Sequence, residues 1–473
     1  MRTFIKSIFI AMLFVGIVFP SFALDETGKD SKKVFSIEDC IDFALKNSPN
    51  IKVAQSMVDV QKSRVGQAKS DYFPTLGAGN GYTFSSNHTS GMKTTESNYY
   101  NLDVSVNQLI WNFGKSAANI NMQKYNLESS KYDLEYEILK TVYNVKTAYF
   151  AVLAAKANNE VLEQTVRINE LNYDRTKALF EEGLKSKIDV VNAEVYYTDA
   201  QIQLLEAQNA YETSLIALAN SMYYTQTPDF SVLSTENFDF KPINYTPSEI
   251  KVNYTLEEKD DSYAELILTS GIEKHDILQN FSFKPYDIKV QDAINQAYEN
   301  RPDLKSLELV LKASEESLKA VKRSYYPQIG ASAGYNYRKN EDNDVSGLRV
   351  YAGLDFPTIN VMNIKTRIDE GKSYYDIAEE NIDLSKKNIY FEVQNYYVEM
   401  KQLEKRIPLM AKKVEQTLEN FELADGRYTV GLGNFIELQE AQTNYNNAQL
   451  AFVQSVFRYN VAREQFLKSM GVK

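Results

Sequence analysis

The sequence is poor in the residues that cross-linking and catalysis require. Cysteine occurs once, at Cys40, so no disulfide can form within the chain. No lipobox-like apolar run precedes Cys40, so an N-terminal lipid is not expected. Histidine occurs twice, at His88 and His275, both in polar, loop-like sequence with no ligand spacing around them. A His-based metal site and a Ser-His-Asp triad are thereby excluded. Positive charge is in deficit, with 52 Lys and Arg against 63 Asp and Glu and a net charge of −11, the wrong sign for a nucleic-acid binder. Long apolar runs are absent after the first two dozen residues, so no helix is expected to span a membrane. The early run has the layout of a secretory signal peptide over residues 1–23. Arg2 and Lys6 form its basic part, Ile8 to Phe19 its apolar part, and Ser21-Phe22-Ala23 a small-residue cleavage site. Without it the chain carries −13. An exported chain lacking a helical span can still cross an outer membrane as strands.

What is present is a long internal repeat. Ile37 to Pro49 (IEDCIDFALKNSP) aligns with Val290 to Pro302 (VQDAINQAYENRP), a step of 253 positions. The same step brings Tyr72-Phe73-Pro74 onto Tyr325-Tyr326-Pro327, and Gly77, Gly81 and Tyr82 onto Gly330, Gly334 and Tyr335. Further on, Gly183-Leu184 aligns with Gly431-Leu432 at a step of 248. The five residues are lost between two strand-like segments, where a surface loop tolerates a change of length. The chain therefore divides into a first repeat within 24–224, a Tyr-rich acidic insert over 225–286, and a second repeat within 287–473.

Each repeat opens with helical sequence that stops at Pro74 or Pro327 and then changes to period two. Leu76, Ala78, Tyr82 and Phe84 alternate with Thr75, Gly77, Gly79, Gly81 and Thr83. The second repeat does the same from Gln328 to Tyr337. The return segments alternate too, through Leu102, Val104 and Val106 and through Leu348, Val350, Ala352 and Leu354. Strands are expected at about 75–84, 99–110, 328–337 and 347–357, each with one apolar and one polar or small face. Aromatics gather at the strand ends: Tyr82, Phe84, Tyr99, Tyr100, Tyr335 and Tyr337 at one end, Trp111 and Phe113 with Phe73, Tyr325 and Tyr326 at the other. Membrane interfaces favour that placement, although alternation alone also fits a soluble sheet with one wet face.

Two very long helices follow the strands. No proline interrupts Pro74 to Pro228, and Leu134, Ile138, Val142, Val145, Tyr149 and Val152 form an amphipathic seam. The expected helix over about 114–180 is a rod of ~100 Å. A turn at Gly183 leads to a return helix over about 187–223. The second repeat gives a long helix over about 363–429 and a return helix over about 435–471, with Pro408 expected to kink or break the former.

Four membrane strands cannot stand alone in lipid with two open edges, and membrane barrels begin at about eight strands. The chain is thus expected to close its barrel with copies of itself, eight strands from a dimer or twelve from a trimer, above a cylinder built from the rods. The fold class is mixed α and membrane β, a duplicated unit of helix, β-hairpin, long helix and helix. The function that follows is passage through an outer membrane. A periplasmic coiled-coil scaffold or adaptor without a pore is the competing reading; it accounts for the rods and leaves the four alternating strands unexplained. No constellation of residues suggests an enzyme.

The sequence resembles the outer-membrane efflux protein family of TolC-like channels, over nearly all of the chain beyond the signal peptide. The duplicated Asn47-Ser48-Pro49 and Asn300-Arg301-Pro302, the Tyr-Phe-Pro step, Gln108 to Gly114 (QLIWNFG) and above all Arg427 to Gln442 (RYTVGLGNFIELQEAQ) carry the resemblance. It departs at Met362, where the family has glycine, and at Gly433, where a basic residue is common. The resemblance implies a homotrimer with a twelve-stranded outer-membrane barrel, continuous with a periplasmic helical barrel and ringed by a belt drawn partly from 225–286. It implies outer-membrane lipid, a periplasmic adaptor (membrane fusion protein) and an inner-membrane transporter as partners, as in tripartite efflux or type I secretion. It also implies no catalytic residue and no cofactor. In such channels the helical tips close the tube. The matching positions are Glu437 and Glu440 for a cation-selecting acidic ring, with Asp189 and Tyr428 for the closing contacts, and Lys185 or Lys187 as substitutes for the basic residue missing at Gly433. Gly183, Leu184, Gly431, Leu432 and Gly433 match the tips that meet the adaptor. Locally, Ser186 to Asp189 and Asn434 to Glu437 each also fit a capping box, which by itself accounts for Asp189 and Glu437.

Overall fold

The computed structural model describes residues 33–88, 90–91, 94–234, 285–340 and 343–472. The signal peptide, His275 and most of the insert lie outside the described residues. Two short helices open each repeat: α1 (Ile37–Asn47) and α2 (Pro49–Lys69) in the first. Ser36 and Asp39 close a capping box on α1, and Ser48 caps α2 with Pro49 in its first turn. The Asn-x-Pro element is thus a helix-to-helix break. A 3-10 turn at Ser70–Tyr72 and Pro74 then release the chain into β2 (Thr75–Asn87) and β3 (Thr95–Trp111). After β3 come α3 (Lys115–Glu181) and α4 (Lys187–Ser221). The second repeat comprises α5 (Val290–Asn300), α6 (Pro302–Arg323), β5 (Gln328–Asn340), β6 (Asp344–Asp355), α7 (Val361–Thr429) and α8 (Phe435–Ser469).

A pairing with no sequence forewarning ties the two ends of the first repeat together. β1 (Lys33–Phe35) runs parallel to β4 (Phe230–Val232), where the chain enters the insert. The buried Tyr149 hydroxyl of α3 lies 2.7 Å from the Leu233 carbonyl and 3.1 Å from that of Phe35, fastening both strands, at one end of the ladder, to the long helix. Around it the core draws on α1 (Cys40, Ala44), α5 (Ala293, Ile294), α3 (Val145, Val152), α7 (Val393, Met400) and α8 (Phe466, Leu467). Burial, with the charges of Asp39 and Glu38 adding to it, pushes the Cys40 thiol up to about 12.

The four long strands form one antiparallel sheet in the order β2-β3-β5-β6. At the hairpin loops they run further than the alternation indicates, whereas β6 stops at Asp355, short of the expected 357, because Pro357 cannot donate to the ladder. Ser85 pairs with Ser97, their hydroxyls 2.7 Å apart, and the ladder continues to Asn87 and Thr95. Sequence alternation fades there because both faces turn polar, whereas backbone pairing persists. In the long helices, the seam from Val142 through Val145 and Tyr149 to Val152 is buried. Of the kink or break expected at Pro408, the break does not occur, and α7 runs through it. Proline removes one hydrogen bond, but Met400, Leu403, Ile407, Ala411 and Val414 are buried on either side and hold the helix in place.

The departure at Met362 also has a local cause. Gly114 precedes α3 with φ +86, and a Cβ there would come 2.9 Å from the Arg323 guanidinium, which donates to the Gly114 carbonyl. Its counterpart Met362 lies inside the first turn of α7, which Asn360 caps, so no left-handed residue is needed.

Candidate functional site: sheet faces and helical tips

Register assigns every strand residue to a face. Leu76, Ala78, Tyr82 and Phe84 share one face with Tyr100, Leu102, Val104 and Val106 of β3. The row continues through Tyr337, Tyr335, Ala333 and Ile329 of β5 to Leu348, Val350, Ala352 and Leu354 of β6. The face is exposed across the sheet, with Leu76 80% and Leu348 73% accessible. The opposite face carries the Gly77-Gly79-Gly81 row, Asn101, Asp103, Ser105, Asn336 and Arg349. On it Asp103 accepts from Asn101 at 2.9 Å and from Asn336.

Most of the expected interface aromatics fall on the apolar face. Tyr82 stands opposite Tyr100, with Phe84 beside them, and Tyr335 and Tyr337 lie opposite Val104 and Leu102. Tyr99 does not: as the neighbour of Tyr100 it must point the other way. It lies on the polar face beneath Arg338, whose guanidinium carbon is 4.3 Å from the ring centre. At the far end a bulge between Leu109 and Trp111 shifts the register and brings Trp111 opposite Ile329, the end of the apolar row. Phe113 follows and stacks on Tyr326 at 5.7 Å.

The two helical tips share one geometry. Gly183 (φ +74) and Gly431 (φ +78) take the left-handed position of a Schellman turn. Leu184 N–H donates to Leu179 and Leu432 N–H to Arg427, at 2.8 and 2.9 Å. Leu184 and Leu432 are exposed at the extremities. Gly433 is forced by space, since a Cβ there would lie 3.1 Å from both Arg427 Cβ and the Tyr428 nitrogen. A basic side chain therefore has no room without a backbone shift.

The capping boxes differ. Ser186 and Asp189 form a complete one. At the second tip Asn434 accepts from Glu437 N–H, but the Glu437 carboxylate turns away to Arg427 at 3.3 Å. Glu440 is exposed and, among the described residues, makes no ion pair. Tyr428 is buried; its hydroxyl lies 3.0 Å from that of Thr176, and Phe435 packs edge-on against its ring. Lys185 Nζ sits 4.3 Å above the same ring, whereas Lys187 is exposed. Burial and the charge of Asp189 raise the Tyr428 hydroxyl above its ordinary range, against the Thr176 hydrogen bond. Asp189 and Tyr428 are thus neighbours, each satisfied by another group.

Sequence reasoning missed the polar seam behind the tips. Asn172 donates to Gln442 at 3.0 Å, Gln439 to Asn169 at 3.2 Å, and Arg175 to Asp425 at 2.7 Å and Thr429 at 3.1 Å. Thr165, Asn169, Asn172 and Thr176 recur at steps of four, three and four, the period of the apolar seam above them. That spacing was the available signal. Among the described residues no His, Cys, Asp and Glu cluster could hold a metal ion, and no helix is long and apolar enough to cross a membrane.

Known proteins agree with this architecture. The family model described as "Outer membrane efflux protein" matches residues 40–222 and 293–472. The toluene efflux pump outer membrane protein TtgC of Pseudomonas putida is 20% identical over 92% of this chain and 83% of its own length. The alkaline protease secretion protein AprF of Pseudomonas aeruginosa is 24% identical over 44% of this chain, a match spanning 42% of that protein. Among solved structures, CusC superposes with a TM-score of 0.72 at 14% identity, covering 95% of this chain and 96% of that one. The Campylobacter jejuni CmeC outer membrane channel gives 0.70 at 17% identity, covering 95% and 90%. With the family match falling on both repeats and the fold shared end to end, this chain belongs to the outer membrane efflux protein family.

Proposed function

We propose that the protein is the outer-membrane exit duct of a tripartite efflux or type I secretion system. Three copies close a twelve-stranded barrel and stack their rods into a periplasmic tube. An inner-membrane transporter and a periplasmic adaptor hand substrate over, and the duct conducts it passively. The observation that carries this reading is the sheet: one face mainly apolar, broken by Asn80 and Gln108, one polar face, and two open edges, standing on helices of ~100 Å. A soluble scaffold gains nothing from an exposed apolar face of that extent, which disfavours the adaptor reading. The relatives named for toluene efflux and protease secretion support both kinds of cargo.

The gate lies at the tips, with Lys185 on Tyr428 and the Arg175–Asp425 pair holding the helices together. Three copies bring Glu437 and Glu440 into one acidic ring. Arg427 neutralises part of the Glu437 charge, so Glu440 carries most of the selectivity. The test is single-channel recording in planar bilayers. Cation-preferring steps are expected, with the preference reduced more by Glu440→Ala than by Glu437→Ala. Conducting steps unchanged in the double variant would remove the ring and keep the duct. Failure to insert or conduct would overturn the duct.

A further inference from the structure

The contact between α3 and α8 changes character along its length. Away from the tips both helices bury apolar residues, Leu153, Ala157 and Val161 on α3 and Val453 and Val456 on α8. Beyond these, Lys146 pairs with Glu464 at 2.8 Å. Toward the tips the buried residues become amides: Asn169 and Asn172 on α3, and Gln439, Gln442 and Gln449 on α8. The three glutamines are 4%, 0% and 2% exposed.

The hydrogen bonds of these amides do not close. Gln439 Nε2 donates to Asn169 Oδ1, and Asn172 Nδ2 donates to Gln442 Oε1. Asn169 Nδ2 is already committed to the Thr165 carbonyl. That leaves Gln439 Oε1 and Gln442 Nε2 shielded from bulk solvent and without a partner among the described residues. Gln449 Oε1 is in the same condition. Gln449 stands two helical turns beyond Gln442 on one stripe of α8, and its side chain lies beside Tyr445. Enclosed amide groups left unpaired carry their full desolvation cost, so three of them along one stripe call for a partner.

The chemistry of the groups selects that partner. Gln439 and Gln442 present one acceptor and one donor three residues apart, on the same helix face. A metal cation suits the oxygen and is repelled by the Gln442 amide hydrogens, and an anion does the reverse. Water donates and accepts at once, and buried water binds where enclosed polar groups lack partners. We infer that α3 and α8 enclose bound water behind the tips: one molecule accepts from Gln442 Nε2 and donates to Gln439 Oε1, and a second donates to Gln449 Oε1 beside Tyr445. The site lies within a single chain and stands independently of the duct and of the trimer. It also gives the amides a use. A bridging water re-forms its hydrogen bonds after a small shift of either helix, whereas an apolar layer that shifts opens a gap, so the hydrated stretch is the yielding end of the contact.

The test uses the full chain in detergent. X-ray radiolysis turns water, bound water included, into hydroxyl radicals that modify the side chains beside it. Tyr445 and Tyr149 are both 0% exposed, and the Tyr149 hydroxyl is already held by two backbone carbonyls. Tyr445 is expected to be modified several-fold faster than Tyr149, and Gln449→Met to bring it down to the Tyr149 rate. Equal rates for the two tyrosines in the unaltered protein overturn the water at Gln449. The unfolding midpoint of Gln449→Met gives a second reading. A dry, unpaired amide penalises the folded state, so its apolar replacement would raise the midpoint; a hydrated amide is satisfied, and the midpoint is expected to stay level or fall. A raised midpoint overturns the inference. A density map of the unaltered protein that resolves ordered water checks the first molecule without any substitution. Water within hydrogen-bonding distance of both Gln439 Oε1 and Gln442 Nε2 is expected, and the two amides bonded directly to each other would overturn it.

Discussion

The residues that matter most near the tips are polar and buried, and one of them is an arginine. Arg175 reaches from α3 to Asp425 and Thr429 on α7, and the Asp425 side chain is nearly enclosed. Removing the guanidinium takes the Arg175 charge away from a nearly enclosed carboxylate. Breaking a fully buried pair this way costs ~3–5 kcal/mol, and the partial exposure of Arg175 reduces that to about 2 kcal/mol. Arg175→Ala is expected to lower the unfolding midpoint by that amount in thermal or denaturant melts. The nearby exposed Lys177→Ala should change it by less than about 0.5 kcal/mol. Because the pair ties the two long helices just behind the tip, the same variant should raise open probability in single-channel traces. A midpoint equal to that of the unmodified protein would mean the pair contributes nothing to holding the tip.

Among the elements, the tips put glycine to two different uses. Gly431 is left-handed with open space around it, so a side chain there costs backbone strain alone. Gly431→Ala should cost about 1–2 kcal/mol and Gly431→Asn less, because asparagine tolerates that conformation. Gly433 has ordinary backbone and crowded surroundings. Gly433→Ala should instead displace the Arg427 turn and expose the tip to protease, a difference that melts and limited proteolysis can separate. The sequence made much of this level readable. The repeat, the turn glycines and the alternating strands each follow from local chemistry that leaves a periodic trace. What it hid depended on contacts distant in the chain. The β1–β4 ladder comprises three residues on each side and is held by Tyr149. Tyr99 looked like its neighbour Tyr100 until register separated them. Pro408 carries a strong local signal for a break, overridden by the packing of α7 on α8. The half-formed second capping box depended on Arg427, ten residues upstream of Glu437, which no local motif includes.

For the whole molecule the decisive quantity is the state of the sheet edges. In a single chain, half of the backbone N–H and C=O groups of β2 and β6 face outward without a strand partner, whereas β3 and β5 are flanked on both sides. Unpaired backbone groups in a hydrocarbon layer cost several kcal/mol each, so an open sheet cannot persist there. Closure by copies changes the edge strands most and the inner strands least. Hydrogen exchange read by mass spectrometry on detergent-extracted protein can report this strand by strand. In the assembled state, peptides covering Thr75–Asn87 and Asp344–Asp355 should exchange as slowly as those covering β3 and β5. Dissociation into single chains should accelerate the edge peptides first, while α3 and α8, packed in the core, keep their protection. Edge strands that exchange fast in native extracts while β3 and β5 stay protected would indicate an open four-stranded sheet. The long helices would then have to be explained without a pore above them.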